Sequence, residues 1–270
     1  MPEIEPKDTS LKSLEGIHLW HAPMSSCSQR VRIALAETGK PFVSHVIDLE
    51  RNEHATKEYQ AIHPKGLVPA LVEDGHLFIE SVDIIRQVAG DDSPLAKGAS
   101  PALLKMADEA QLDLKLLSFE FLFRSRPPPR PEDAEAFQRS HQNDWLKQFR
   151  LDFAKGFDPK RLDAAVRRTD EGFRHLEDLL SDGRRFLGGE EFSLSDVAWM
   201  PNFHRFNLMG WPFERTPSLK VWFERVSARP SYQEALLNWQ PAAVPGAFAE
   251  YTLQRRSAGT DIRAFNRLAG

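Results

Sequence analysis

The feature that most limits how this chain folds is a change of rhythm between residues 90 and 100. Before it, short β-type runs alternate with helical patterns; after it, only helical periodicity remains. The first part opens with the run "GIHLWH" (16–21), followed by a helix predicted over about 26–39 and closed by Gly39 and Pro41. A second strand, "FVSHVIDL" (42–49), and a short helix over 54–62, stopped before Pro64, come next. "PALVED" and "HLFIES" flank Asp74-Gly75, a hairpin signal, and a helix over 81–89 completes the order β-α-β-α-β-β-α.

Beyond residue 100, Leu103, Ala107, Ala110, Leu114, Leu117 and Phe121 recur every three to four positions, as do Leu162, Val166, Thr169, Phe173, Leu176 and Leu180. Each set predicts one long helix with a single apolar stripe, suited to bundle packing. Between them "RSRPPPRPED" (124–133) is too proline-rich for a helix and predicts a loop, with a further helix over about 134–154. Ser193 and Asp196 have capping-box spacing at the start of "FSLSDVAWMPNFHRF", and prolines open two more helices in "PSLKVWFERVSAR" and "PSYQEALLNW". The expected organisation is a mobile tail over 1–15, a small α/β domain over 16–90, a linker over 91–99, an all-α domain over 100–240, and an extension over 241–270 that carries no clear pattern.

Composition narrows the function. With 270 residues and 41% hydrophobic content, the chain has material for one large or two small domains. A net charge of −4, with basic residues scattered among acids, does not suggest nucleic acid as a partner. No apolar run approaches a membrane span, and the start of the chain lacks the apolar core of a signal peptide. The single cysteine excludes an intrachain disulfide and a multi-cysteine metal site, the histidines have no metal-ligand spacing, and no metal is expected. A cytoplasmic, reducing setting fits this cysteine usage.

Three short stretches carry candidate chemistry. In "HAPMSSCSQRVRIAL" (21–35), Ser25, Ser26 and Cys27 stand at the start of the first helix. The positive end of a helix and nearby hydroxyl donors stabilise a thiolate, whether that of Cys27 or of a bound thiol. Equally, Cys27 shares a face with Val31, Ala34 and Leu35 and reads as a small core residue. In "GLVPALVEDG", Pro69 opens a strand and removes a ladder donor. With a cis bond, the backbone of Val68 can pair with an extended ligand; with a trans bond, Pro69 is an edge residue. In "IES", Ser81 is placed to cap the next helix, whose first N–H groups suit a carboxylate, while Glu80 suits an ammonium. The plainer reading is a serine cap beside a solvated glutamate.

A serine/cysteine turn opening the first helix, then "VPAL", then "ES", then "SLSD" at a helix start in a helical domain: this succession resembles the glutathione transferase superfamily over residues 16 to 240. "SSCSQRVRIAL" is similar to the zeta-class signature. "LKQFRLDFAKGFDPKRLDAAVRRTDEGF" and "RFNLMGW…ARPSYQEALLNW" resemble instead the branch of bacterial hydroquinone reductive dehalogenases and lignin β-etherases. The resemblance implies a thioredoxin-like domain followed by an all-helical domain, and glutathione as substrate or co-substrate. It implies Pro69 as a cis-proline, Val68 pairing with the cysteinyl unit, Glu80 and Ser81 holding the γ-glutamyl end, and Lys65 assisting a carboxylate. Ser25 or Ser26 would hydrogen-bond the thiolate, and Ser193 and Asp196 would be a structural cap. It implies an electrophile pocket between the domains, with Phe119, Phe123, Phe203, His204 and Phe206 as candidates, and a homodimer. Arg124, Arg126 and Arg130 read as a solvated rim. The implied activity is transfer of glutathione to a small hydrophobic or aromatic electrophile. The alternatives are reductive dehalogenation or thiol transfer through Cys27, zeta-like isomerisation, and a non-catalytic glutathione-binding scaffold.

Overall fold

A computed structural model describes residues 3–265 and 268. Residues 1 and 2 of the expected tail and 266, 267, 269 and 270 of the extension lie outside the described residues. The chain forms two compact units, the first running to Gly90 and including Pro128–Lys155, the second comprising Asp91–Pro127 and the chain from Gly156. The stretch over 128–155, read from sequence as part of one helical block, thus groups with the first unit.

The first unit is built on a mixed five-stranded sheet of order β1-β5-β4-β2-β3. Its strands are β1 (Glu3–Ile4), β2 (Ile17–His21), β3 (Val43–Val46), β4 (Ala70–Glu73) and β5 (His76–Ile79). β2 runs parallel to β3 and antiparallel to β4, and β5 pairs antiparallel with both β4 and β1. The β4–β5 turn has positive φ at Asp74 and Gly75 (49° and 83°), as a type I′ hairpin requires. Helices α1 (Ser26–Thr38), α2 (Lys57–Ile62) and α3 (Ser81–Ala89) follow the predicted order, and α1 packs against α3. Gly39 ends α1 in the left-handed conformation, φ 64°.

The expected tail is folded from Glu3 onward. Glu3–Ile4 supplies an edge strand, and Leu11, 3% exposed, joins the core formed by Trp20, Tyr59, Ala70, Val72, Leu77 and Ile79. Burial of Leu11 contributes about 1.5–3 kcal/mol to ordering this segment, and Ile4 and Leu14 pack against the same core. Leu19, Leu71 and Phe78, on alternate positions of the same strands, point to the other face and are buried too.

The predicted helix over 134–154 is two helices, α7 (Pro131–Ser140) and α8 (Asp144–Lys155). Pro131 occupies the first turn of α7, where its missing N–H costs nothing. Asn143 makes the break: its Oδ1 accepts from the Leu146 N–H (3.1 Å), capping α8.

In the second unit the helices are α4 (Pro94–Lys97), α5 (Pro101–Glu109), α6 (Gln111–Phe121), α9 (Pro159–Leu180), α10 (Leu194–Leu208), α11 (Pro217–Ser227), α12 (Pro230–Ala235) and α13 (Val244–Ser257). The first predicted long helix is interrupted at Ala110, whose backbone stays helical (φ −63°, ψ −16°), so one apolar stripe runs through α5 and α6. The α9 stripe is buried except at its half-exposed Thr169. Phe173, Trp199, Phe203, Phe213 and Trp222 meet in the interior at ring separations of 4.6–6.4 Å. The patternless extension contains α13, which buries Phe248, and its Arg255 Nη1 donates to the Glu120 carbonyl (2.8 Å) and carboxylate (3.0 Å) of α6.

Asp196 fixes the start of α10. It forms the predicted capping box with Ser193, and its carboxylate also accepts from the Leu187 N–H (2.9 Å) and the Trp222 indole (2.7 Å). Burial pushes this carboxyl upward from its ordinary range, while the four donors around it oppose that shift.

Candidate functional site

Register brings the candidate residues of the first unit to one end of its sheet. Trp20 pairs with Ala70, and Ala70 with Ile79. Pro69 therefore lies beside the end of β2, which leads to Ser25–Cys27, and beside the end of β5, which leads to Glu80–Ser81. The Val68–Pro69 bond is cis. Val68 is half-buried, and its N–H and C=O have no protein hydrogen bond among the described residues.

Ser25 caps α1, its Oγ accepting from the Ser28 N–H at 3.2 Å. Ser26 and Cys27 follow in the first turn, both half-buried. Val31, Ala34 and Leu35, on the same helical face as Cys27, are essentially fully buried, so the thiol stands at the rim of a core stripe and not inside it. The turn before Ser25 is held from inside by Arg32, which donates to His21 Nδ1 (3.0 Å), the Ala22 carbonyl (3.3 Å) and the Pro23 carbonyl (3.0 Å). Burial lowers the Arg32 guanidinium to about 9.

Ser81 departs from the sequence reading. It is the first residue of α3, not its cap; Glu80 takes the cap position with φ 69°, a strained value for a side chain of this size, and its own side chain makes no capping hydrogen bond. The N–H groups of the first turn have no protein acceptor among the described residues. The buried Ser81 hydroxyl instead accepts from Arg30 Nη1 of α1 at 3.2 Å, joining the starts of the two helices. Glu80 pairs with Lys65 at 2.6 Å, both partly exposed, so the lysine expected to reach a ligand carboxylate neutralises Glu80.

Arg30 and Arg32 are the residues sequence reading passed over. They stand in the quoted "QRVR" with no role assigned from sequence, and each is fully buried here. Their signal was the apolar pattern running on both sides of them.

Buried histidines give the protein a pH dependence. Burial lowers His21 to about 3, with Arg32 and then His45 adding to the shift, and lowers His63 to about 4. His204, in the second unit, is lowered to about 3 by burial and then by Arg205. These folded values lie below the unfolded value near 6.5, so the unfolded chain takes up the proton first. The stability is complete above pH ~6.5 and is lost as pH falls toward 3–4, by up to about 1.4 kcal/mol per pH unit for each residue. Urea midpoints measured between pH 7.5 and 5 should fall, and His63→Gln should flatten the slope; midpoints independent of pH would refute the assignment.

In the second unit, Phe119 and Phe123 form an edge-on pair (5.2 Å), with Phe123 also near Phe248 (5.8 Å) and the Arg126 and Arg205 guanidinium groups 4.8 and 5.3 Å from its ring centre. Phe203 and His204 do not join them. Phe203 is fully buried in the aromatic interior, and His204 Nδ1 is hydrogen-bonded to the Tyr232 hydroxyl at 2.6 Å. Phe206 packs on Phe173 and Trp211. Arg124 is paired with Glu120, and Arg130 with Asp133.

Two family models match, "Glutathione S-transferase, N-terminal domain" over residues 24–89 and "Glutathione S-transferase, C-terminal domain" over residues 159–225. The chain belongs to the glutathione transferase superfamily. Its fold is the thioredoxin-like plus all-helical arrangement of that superfamily. It is 24% identical to the Arabidopsis thaliana glutathione S-transferase TCHQD, covering 82% of this chain and 89% of the relative. It is 23% identical to the tetrachloro-p-hydroquinone reductive dehalogenase of Sphingobium chlorophenolicum, covering 83% and 98%. Its fold matches that of the β-etherase LigF from Sphingobium sp. strain SYK-6 with a TM-score of 0.68 at 20% identity, over 81% of this chain and 98% of that one. Helices α7 and α8 of this superfamily member fall between the two matched regions. Among the described residues, no helix is long and apolar enough to cross a membrane.

Proposed function

We propose that the chain is a glutathione-dependent transferase whose first unit binds glutathione, stabilises its thiolate and delivers it to a small hydrophobic or aromatic electrophile. The observation that carries the reading is the convergence at one sheet end of the start of α1, the unpaired Val68 backbone and the uncapped start of α3. Each suits one part of the tripeptide. The extended backbone of the cysteinyl unit pairs with Val68. The γ-glutamyl carboxylate takes the N–H groups of α3 and the Ser81 hydroxyl, with the helix dipole behind them. The γ-glutamyl ammonium competes with Lys65 for Glu80. The thiol lies at the start of α1, where the dipole and the Ser25 and Ser26 hydroxyls offset the desolvation that favours its neutral form. The thiolate then attacks an electrophilic carbon, forming the S–C bond, with catalysis resting on positioning and charge stabilisation.

Calorimetry with glutathione tests this directly. Ser81→Ala removes a carboxylate donor and the acceptor of buried Arg30, and affinity should fall by about 10- to 100-fold, the value of one hydrogen bond to a charged group. No binding by the wild type would end the reading and favour a fold kept for another ligand.

A second reading is favoured by Cys27 standing at the rim of the core, beside Ser26 in the first turn of α1. The relative named a reductive dehalogenase makes the same chemistry worth testing in this chain. Glutathione displaces a halide from the substrate, Cys27 attacks the sulfur of the adduct, and the carbon leaves with the bond pair and takes a proton. A second glutathione then cleaves the Cys27–glutathione disulfide, so two thiols are oxidised as one carbon–halogen bond is reduced. The proposed assembly is a cytoplasmic homodimer; a concentration-independent monomer in sedimentation would exclude it.

A further inference from the structure

The α7–α8 segment lies outside both matched family regions, yet it is bonded to the loop that carries the proposed ligand backbone contact. The turn between the two helices, residues 140–143, is stitched to residues 54–66. Gln60, 3% exposed, donates to the Ser140 carbonyl (3.0 Å) and accepts from the Gln142 N–H (2.8 Å). Asn143 Nδ2 donates to the Lys65 carbonyl at 3.4 Å. His141, 2% exposed, sits on Gly66, with Nε2 3.1 Å from the Gly66 carbonyl.

The tautomer of His141 follows from its other partner. The Asn143 N–H donates to Nδ1 at 3.0 Å, so Nδ1 carries no proton and Nε2–H is the donor to Gly66. The fit is tight: Gly66 has φ 57°, and a Cβ there would lie 2.7 Å from His141 Nε2 and 2.8 Å from the His54 carbonyl. Arg150 braces the segment from the α8 side, bonded to Asn52 at 2.7 Å and stacked 3.6 Å over the Phe137 ring centre. Phe137 in turn packs on His141.

We infer that His141 is a positioning residue: with Asn143 it clasps Lys65 and Gly66 from behind and sets the backbone of the Lys65–Val68 loop for its ligand. The inference rests on the proposed glutathione reading and adds to it a device built from α7 and α8. The bonded carbonyls are two and three residues before Val68, and Lys65 in the same loop fixes Glu80. Removing the clasp leaves every group proposed to touch glutathione in place and loosens the loop that carries the Val68 backbone.

The test compares three variants of the full chain by calorimetry, steady-state kinetics and amide hydrogen exchange. His141→Ala should raise the glutathione Kd and KM by about tenfold, the scale of one hydrogen bond and the order it imposes, with kcat at saturating glutathione unchanged. Exchange at residues 65–68 should quicken. His141→Gln, whose amide can still donate to the Gly66 carbonyl, should recover most of the affinity. Phe149→Leu, in the buried side of α8, should lower the melting temperature and leave Kd alone. An unchanged Kd in His141→Ala would overturn the clasp while leaving the glutathione reading intact. Equal loss of affinity in Phe149→Leu would also overturn it, reducing the segment to general support. Absence of glutathione binding in the wild type would instead remove the functional reading, and the clasp's ligand role with it.

Discussion

Asp196→Ala is expected to destabilise the helical unit by about 3–5 kcal/mol, because it strands buried donors that have no other acceptor among the described residues. The carboxylate receives the Ser193 N–H and hydroxyl, the Leu187 N–H and the Trp222 indole N–H, and Asp196 and Trp222 are both fully buried. Water cannot replace it there. At the size of this chain the loss corresponds to a fall of roughly 10 °C or more in melting temperature. Asp196→Asn keeps one carbonyl acceptor and should lose clearly less. Trp222→Phe removes one donor together with its need, so the double variant with Asp196→Ala should be less damaged than the sum of the two. Thermal melts followed by circular dichroism decide it; a change in Asp196→Ala below about 1 kcal/mol would mean the cap is held by backbone geometry alone.

In the reductive reading proposed above, Cys27→Ser is expected to abolish turnover of a halogenated aromatic substrate while sparing simple conjugation of glutathione. The serine hydroxyl cannot form the disulfide that removes glutathione from the adduct, so the variant should release the glutathione conjugate as its end product. Ser25 and Ser26, which support the thiolate in the leading reading, remain in place. Product analysis by mass spectrometry separates the outcomes. Survival of both activities would reduce Cys27 to a packing residue at the rim of the Val31–Ala34–Leu35 stripe. Loss of both would shift the chemistry from the serines to the cysteine.

The element order was legible in the sequence wherever a local signal coincided with a tertiary need. Gly39 ends α1, Asp74-Gly75 turns the hairpin, and Ser193 with Asp196 starts α10, each through a conformation or hydrogen bond confined to a few neighbouring residues. The misread segments lacked that coincidence. Residues 3–14 looked like a tail because two strand residues and one buried leucine are too short a pattern to register. Helix α13 was hidden by the prolines and alanines that precede it. The break at Asn143 was written in a capping residue that the helical periodicity around it obscured.

The candidate site divides in the same way. The sequence by itself determined which residue types stand at the starts of α1 and α3 and before β4, since those depend on turns and helix ends. Only the tertiary structure decided what those residues do with their hydrogen bonds. Strand register set Val68–Pro69 between the two helix starts. Packing of α1 on α3 gave Ser81 a buried arginine where a cap was expected, and folding of α7–α8 onto the first unit put His141 behind Gly66. The physical reason is range: a cap or a turn is fixed by atoms a few residues apart, whereas the partner of a buried side chain is chosen by which distant segment fills the space beside it.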